Sequence, residues 1–188
     1  MPFLSVCRTI AGSTPLLWCV SAALVAAFAI HSAIAAPLDA YEDGLNLPDA
    51  RMLGYTPDEL NQWYNSIGIE GCKIYIQSAH WDFMPIMVIY PVFLGSMILV
   101  LGQEAGLSEN LVYVPLSSAI FDIIETYLQR EGCVIFPERL PDQTIRIASL
   151  ACQTKWLFLI TSILTVVGLF LKGKLSTTAA SNAEHKRD

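Results

Sequence analysis

The chain has 188 residues, 54% of them hydrophobic and only 15% charged, where a soluble domain averages about 25% charged residues. Eleven Lys and Arg against 17 Asp and Glu give a net charge of -6, which excludes the basic surface of a nucleic-acid binder, and the apolar content excludes a disordered chain. A compact integral membrane protein, or an unusually apolar single domain, remains.

In chain order, residues 16–36 carry no charge and only Ser21, His31 and Ser32 as polar interruptions. Arg8 precedes them, and Ala33-Ile34-Ala35 forms the small-x-small pattern of a signal-peptide cleavage site. Pro37 then stops the helix. Residues 1–36 therefore read as a signal peptide or as an uncleaved signal anchor, because the block is long enough to span. A transit peptide is disfavoured, since such leaders are Arg-rich and Arg8 stands alone.

Residues 37–72 form an acidic segment, with Asp39, Glu42, Asp43, Asp49, Asp58, Glu59 and Glu70. Within it Thr56 is an N-cap, Pro57 the first helical residue, and Glu59 completes a capping box. Leu60, Trp63, Tyr64 and Ile67 recur at helical spacing and Gly68 is a natural end. A short amphipathic helix is predicted, packed on a bundle or lying at headgroup level.

Three more apolar blocks follow at 83–101, 111–128 and 148–171. Each is near the length of about 20 residues that crosses a hydrocarbon core about 30 Å thick, and none shows the alternating charged face of a soluble core helix. The predicted fold class is an all-α polytopic transmembrane helix bundle. It has four spans, or three if residues 1–36 are removed, with residues 73–172 as a three-helix membrane core. Lys172, Lys174, Lys186 and Arg187 place the C-terminus on the cytoplasmic side. Residues 37–72 and 129–147 are then outside, 102–110 inside, and 173–188 a disordered tail. The expected location is the secretory pathway or the plasma membrane.

Four ionisable residues break these blocks: Asp82, Asp122, Glu125 and Lys155. Charges at membrane depth are costly, face the bundle interior and pair. Asp122 and Glu125 are three apart and share a helix face. With the topology above, all four fall at a similar depth, roughly 6–12 Å from the outer ends of their helices. A polar cluster is expected there, with His80, Tyr75, Thr126, Tyr127, Gln153 and Thr154 close enough in sequence to add hydrogen bonds. Three carboxylates beside one ammonium leave an excess of negative charge, which a proton or a cation must offset. The cluster is compatible with a plain interhelical lock, a pocket for a small-molecule or lipid ligand, a proton or cation site, or an enzyme site. The expected function is non-enzymatic: binding membrane lipid or another small ligand, or supporting a membrane protein partner. The alternative is a lipid-modifying enzyme performing acid–base chemistry with Asp82, Asp122 and Glu125, assisted by His80. No cofactor is expected, and no metal, because His31, His80 and His185 are scattered. No nucleophile elbow or phosphate loop occurs either.

Of five cysteines, Cys7 and Cys19 lie in the leader and Cys152 in the last span. Cys72 and Cys133 fall near outer span ends, where either a disulfide or two free thiols fits.

Gly54-Tyr55-Thr56-Pro57-Asp58-Glu59, Gly71 with Tyr75, Asp82-Phe83 with Pro85, Phe121-Asp122 with Glu125, and Lys155-Trp156 together resemble an uncharacterised family of small four-helix integral membrane proteins. The similarity covers residues 54–171. Where that pattern has Asn after the acid matching Glu125, this chain has Thr126. The resemblance implies four spans, with the first block retained as an anchor, and implies no activity.

Overall fold

Uncharged apolar runs of this length satisfy their backbone groups by forming helices. Six are observed: α1 (Pro2–Ala11), α2 (Thr14–Ala35), α3 (Pro57–Trp81), α4 (Met87–Gly102), α5 (Tyr113–Ile135) and α6 (Asp142–Glu184), with no strand among the described residues. The computed structural model describes residues 2–41, 47–103 and 105–184, with side chains to residue 175. Glu42 and Asp43 of the acidic segment, and residues 185–188 of the tail, lie outside the described residues.

Four helical stretches are long and apolar enough to cross a membrane: Thr14–Ala40, Pro57–Gly102, Glu109–Ile135 and Asp142–Leu175. Pro57–Gly102 has 46 residues, about 70 Å of helix and far more than one crossing. It is broken twice. Gly68, at φ 60° and ψ -167°, ends the first part in a backbone conformation that glycine adopts and a side chain would strain. Pro85, which cannot donate to the preceding turn, sits in a single π-helical turn, Asp82–Ile86, where Met87 N–H reaches back to Asp82 O.

The segment before Gly68 begins as its sequence dictates. Glu59 N donates to Thr56 Oγ1 at 3.3 Å and Thr56 N donates to Glu59 Oε2 at 2.6 Å. Leu60, Trp63, Tyr64 and Ile67 are all buried, so this helix packs into the bundle instead of lying on a surface. Its ring of contacts is tight: a Cβ added to Gly132 of α5 would fall 2.2 Å from Tyr64 Oη.

α5 is the central helix, with α6, α4 and α3 packed against it. Phe121 of α5 stacks on Phe158 of α6 at 6.0 Å. One end of the bundle gathers the turn Pro48–Ala50, the start of α3 and residues 136–141 around a core of Tyr55, Trp63, Tyr75 and Cys152. The opposite end gathers α1 and the α4–α5 connection, where Cys7, Leu99 and Val112 are buried together. α6 passes between the ends, reaching the second at Leu169, which lies close to Gly102.

One expectation changes. Residues 173–184, predicted to be disordered, continue α6 as helix. No proline or turn signal interrupts them, and Ala179, Ala180 and Ala183 favour helix. Cys72 and Cys133 are free, buried thiols that hydrogen-bond each other across the α3–α5 contact.

Candidate functional site

α5 carries a polar stripe on one face: Ser118, Asp122, Glu125 and Gln129, spaced four, three and four residues apart. This face meets Lys155 of α6. The ammonium has three donors and three carboxylates around it. It hydrogen-bonds Asp122 Oδ1 at 2.9 Å and also Asp49 Oδ1. It lies 2.8 Å from Glu125 Oε2 in an ion-pair contact outside hydrogen-bond geometry. The Lys155 side chain is 5% exposed and that of Glu125 0%. Pairing at this depth matters, because a lone buried charge costs several kcal/mol, roughly 3–5 when a partner is removed.

Around the ion cluster lies a shell of buried hydrogen bonds. Gln129 Nε2 donates to Glu125 Oε1 at 2.8 Å and to Tyr55 Oη at 2.9 Å. Tyr75 Oη donates to Gln129 Oε1, and Tyr64 Oη donates to Gln129 O at 2.9 Å. On the other side Ser118 Oγ donates to Lys155 O at 2.9 Å and receives Tyr90 Oη at 3.2 Å. Asp49 is held inward through its backbone: Trp156 Nε1 donates to Asp49 O at 3.0 Å. Pro48 beside it is fully buried. Gly54 permits the same segment to touch α6, because at φ 79° an added Cβ would fall 2.5 Å from Ser149 Oγ.

Beside this cluster is a cavity of about 330 Å³, within the range of roughly 300–1,000 Å³ that holds small molecules. Its polar end is formed by Asp49, Asp82, Asp122 and Lys155, and its long wall by Leu24, Phe28, Leu159 and Ile163 among other apolar residues. α2 packs on α3 and α4, and α6 on α4 and α5, whereas α2 and α6 scarcely touch. Phe28 and Ile163 are 48% and 43% exposed, so the apolar end of the cavity reaches the surface between α2 and α6.

Asp122, Glu125 and Lys155, picked out as breaks in apolar blocks, are in direct contact. Asp82 lines the same cavity but makes no hydrogen bond or ion pair among the described residues. His80 does not join them: it is exposed, and its Nδ1 lies 2.7 Å from Ile76 O. The inward face of α3 runs through Tyr75, Ser78 and Ala79 and continues to Asp82 at the start of the π-helical turn, and His80 falls off it. Tyr127 is likewise exposed, and Thr154 Oγ1 bonds Leu150 O of its own helix. Thr126 is buried with its hydroxyl unpartnered.

Gln129 and Asp49 were missed, as were the shell hydroxyls of Tyr55, Tyr64, Tyr90 and Ser118. Gln129 was legible, since it continues the Asp122–Glu125 face by one more turn. Asp49 was grouped with solvent-facing acids, and only Leu47 and Pro48 beside it hint at an inward turn. Asp49, Asp122 and Glu125 offer oxygens within 4.8 Å of one another, a spacing suited to a metal, but the Lys155 ammonium already sits at their centre.

Comparison with models of protein families, with curated proteins and with solved structures finds no match to this chain. What the site does is therefore argued from its geometry.

Proposed function

We propose that the chain is a small polytopic membrane protein that crosses the bilayer four times and binds a small or lipidic amphiphile without turning it over. The observation that carries this reading is the cavity: a charged end, an apolar wall and an opening between α2 and α6. An amphiphile entering sideways from the acyl-chain layer fits that order of chemistry, with its polar head at Asp82, Asp122 and Lys155. Three carboxylates against one ammonium make the polar end acidic, which favours a head that donates hydrogen bonds or carries positive charge. Membrane residence is supported by large apolar side chains facing outward, such as Trp18 at 72% and Leu164 at 64% exposed.

Retention of residues 1–36 belongs to the same proposal. α2 supplies Leu24 and Phe28 to the cavity wall, and α1 seats Cys7 against Gly95. The lysines at the end of the last apolar helix, Lys172 and Lys174, favour a cytoplasmic C-terminus. Turnover is disfavoured because two of the acid–base candidates are misplaced: His80 faces out, and Glu125 lies behind Lys155 instead of lining the cavity.

The test is mild-detergent purification of the full chain followed by mass spectrometry of extracted lipids and of the protein N-terminus. The expected result is one class of amphiphile enriched over bulk membrane, depleted in Leu159→Trp, on a chain that retains residues 1–36. A lipid product that accumulates with wild type and vanishes in Asp82→Asn establishes the enzyme instead. Co-purified protein without enriched lipid establishes the scaffold.

A further inference from the structure

Behind the cluster, away from the large cavity's apolar wall, a second and much smaller chamber lies between α2, α3 and α5 and opens at Asp49, whose side chain is 38% exposed. It has a volume of about 20 Å³ and is lined by Asp49, Asp82, Thr126, Ser78 and His31. That space exceeds the roughly 10–15 Å³ that one water needs, and holds one such particle and no more. Asp49 and Asp82 belong to both cavities, so the chamber borders the polar end of the large one.

Two independent features of this chamber call for an occupant. Thr126 is 2% exposed and its Oγ1 has no hydrogen-bond partner, a condition that buried hydroxyls rarely tolerate. Charge is the other. Lys155 is already shared among Asp49, Asp122 and Glu125; Asp82 faces the same ammonium across the large cavity but makes no ion pair with it among the described residues. A water would satisfy the Thr126 hydroxyl and leave the charge excess untouched. A proton on Asp82 would answer the charge alone; a single cation answers both.

We propose that this chamber is a binding site for a dehydrated sodium ion, held by carboxylate oxygens of Asp49 and Asp82 and hydroxyl oxygens of Thr126 and Ser78. The donor set is hard oxygen, which selects hard cations. Magnesium keeps several of its waters and calcium takes 6–8 oxygens; the chamber has neither the room nor the ligands. Ser78 Oγ spends its proton on Tyr75 O at 2.9 Å, which leaves its lone pairs for a cation. Because Asp49 and Asp82 also shape the polar end of the large cavity, sodium in the chamber sets the charge that a bound head group meets. The site itself does not depend on that cavity having a ligand.

The test uses the full chain in detergent, following its thermal midpoint as NaCl replaces choline chloride at constant ionic strength. The expected result is a saturable rise with sodium. Thr126→Val, which keeps the side-chain shape, moves half-saturation several-fold to higher sodium, and Asp82→Asn abolishes the sodium dependence. If Asp82→Asn fails to fold, Thr126→Val decides alone. A rise shared equally by sodium, potassium and choline, or a sodium response unchanged in Thr126→Val, overturns the site and leaves a water. Saturation by micromolar CaCl2 with sodium inert overturns the choice of ion.

Discussion

Where α1 meets α4, the contact is apolar: Phe3, Leu4 and Cys7 pack with Leu99 and Val112. Gly95 lets Cys7 approach, Ser96 Oγ reaches Cys7 O at 3.4 Å, and an ion pair there, Arg8 with Glu109, is about half exposed on both sides. Where α3, α5 and α6 meet, the contact is the reverse: buried charge, a glutamine with both ends engaged and three tyrosine hydroxyls. In the membrane setting proposed above, apolar faces gain little by meeting each other, so helix association draws on close packing or on polar pairing. This bundle uses packing at one end and pairing at the other. The large cavity and the small chamber both border this paired end.

The largest effect that separates the two ends is Lys155→Met. It strands three carboxylates, and a loss of roughly 3–5 kcal/mol is expected, the cost of removing one partner from a buried pair. Thermal denaturation in detergent reads this as a large drop in midpoint. Adding Asp122→Asn and Glu125→Gln to the same chain is expected to recover part of it. A midpoint indifferent to Lys155→Met would show that pairing does not hold this end.

Gly95→Ala tests the packed end. The added Cβ would fall 3.0 Å from Cys7 Sγ and 3.6 Å from Val112 Cβ. Overpacking of this kind costs about 1–3 kcal/mol, and limited proteolysis should release α1 before the rest unfolds. The smallest effect is Arg8→Ala. Exposed pairs contribute about 0–1 kcal/mol, so the midpoint should barely move, and a large fall would mean that this end, too, depends on charge.

Much of this was legible in the residues because it follows local rules. Four apolar blocks became helices long enough to span, Thr56 and Glu59 capped α3, and Gly68 broke it. Asp122, Glu125 and Lys155 stood out because charges in apolar blocks need each other. What escaped was tertiary. Asp49 is indistinguishable by composition from Asp39 or Asp58. It turns inward only because Trp156 Nε1 takes its carbonyl and Pro48 finds a buried seat, and neither contact has a sequence period. His80 was drawn in by proximity along the chain, although two residues along a helix rotate a side chain to another face. The partnership of α1 with α4 rests on Phe3, Leu4 and Cys7 meeting Gly95 and Leu99, and nothing in the spacing of either helix names its partner.

The central claim is that an amphiphile occupies the cavity from the side, head toward Lys155 and chain toward Phe28 and Ile163. The most direct measurement is photo-crosslinking in membranes with a phospholipid carrying a photoreactive group in its acyl chain, followed by mapping of labelled residues. The account predicts labelling concentrated on Phe28, Leu159 and Ile163 and lost from those positions in Leu159→Trp. Labelling spread evenly over the outward apolar residues of α2 and α6, such as Trp18 and Leu164, and unchanged by Leu159→Trp, would contradict it.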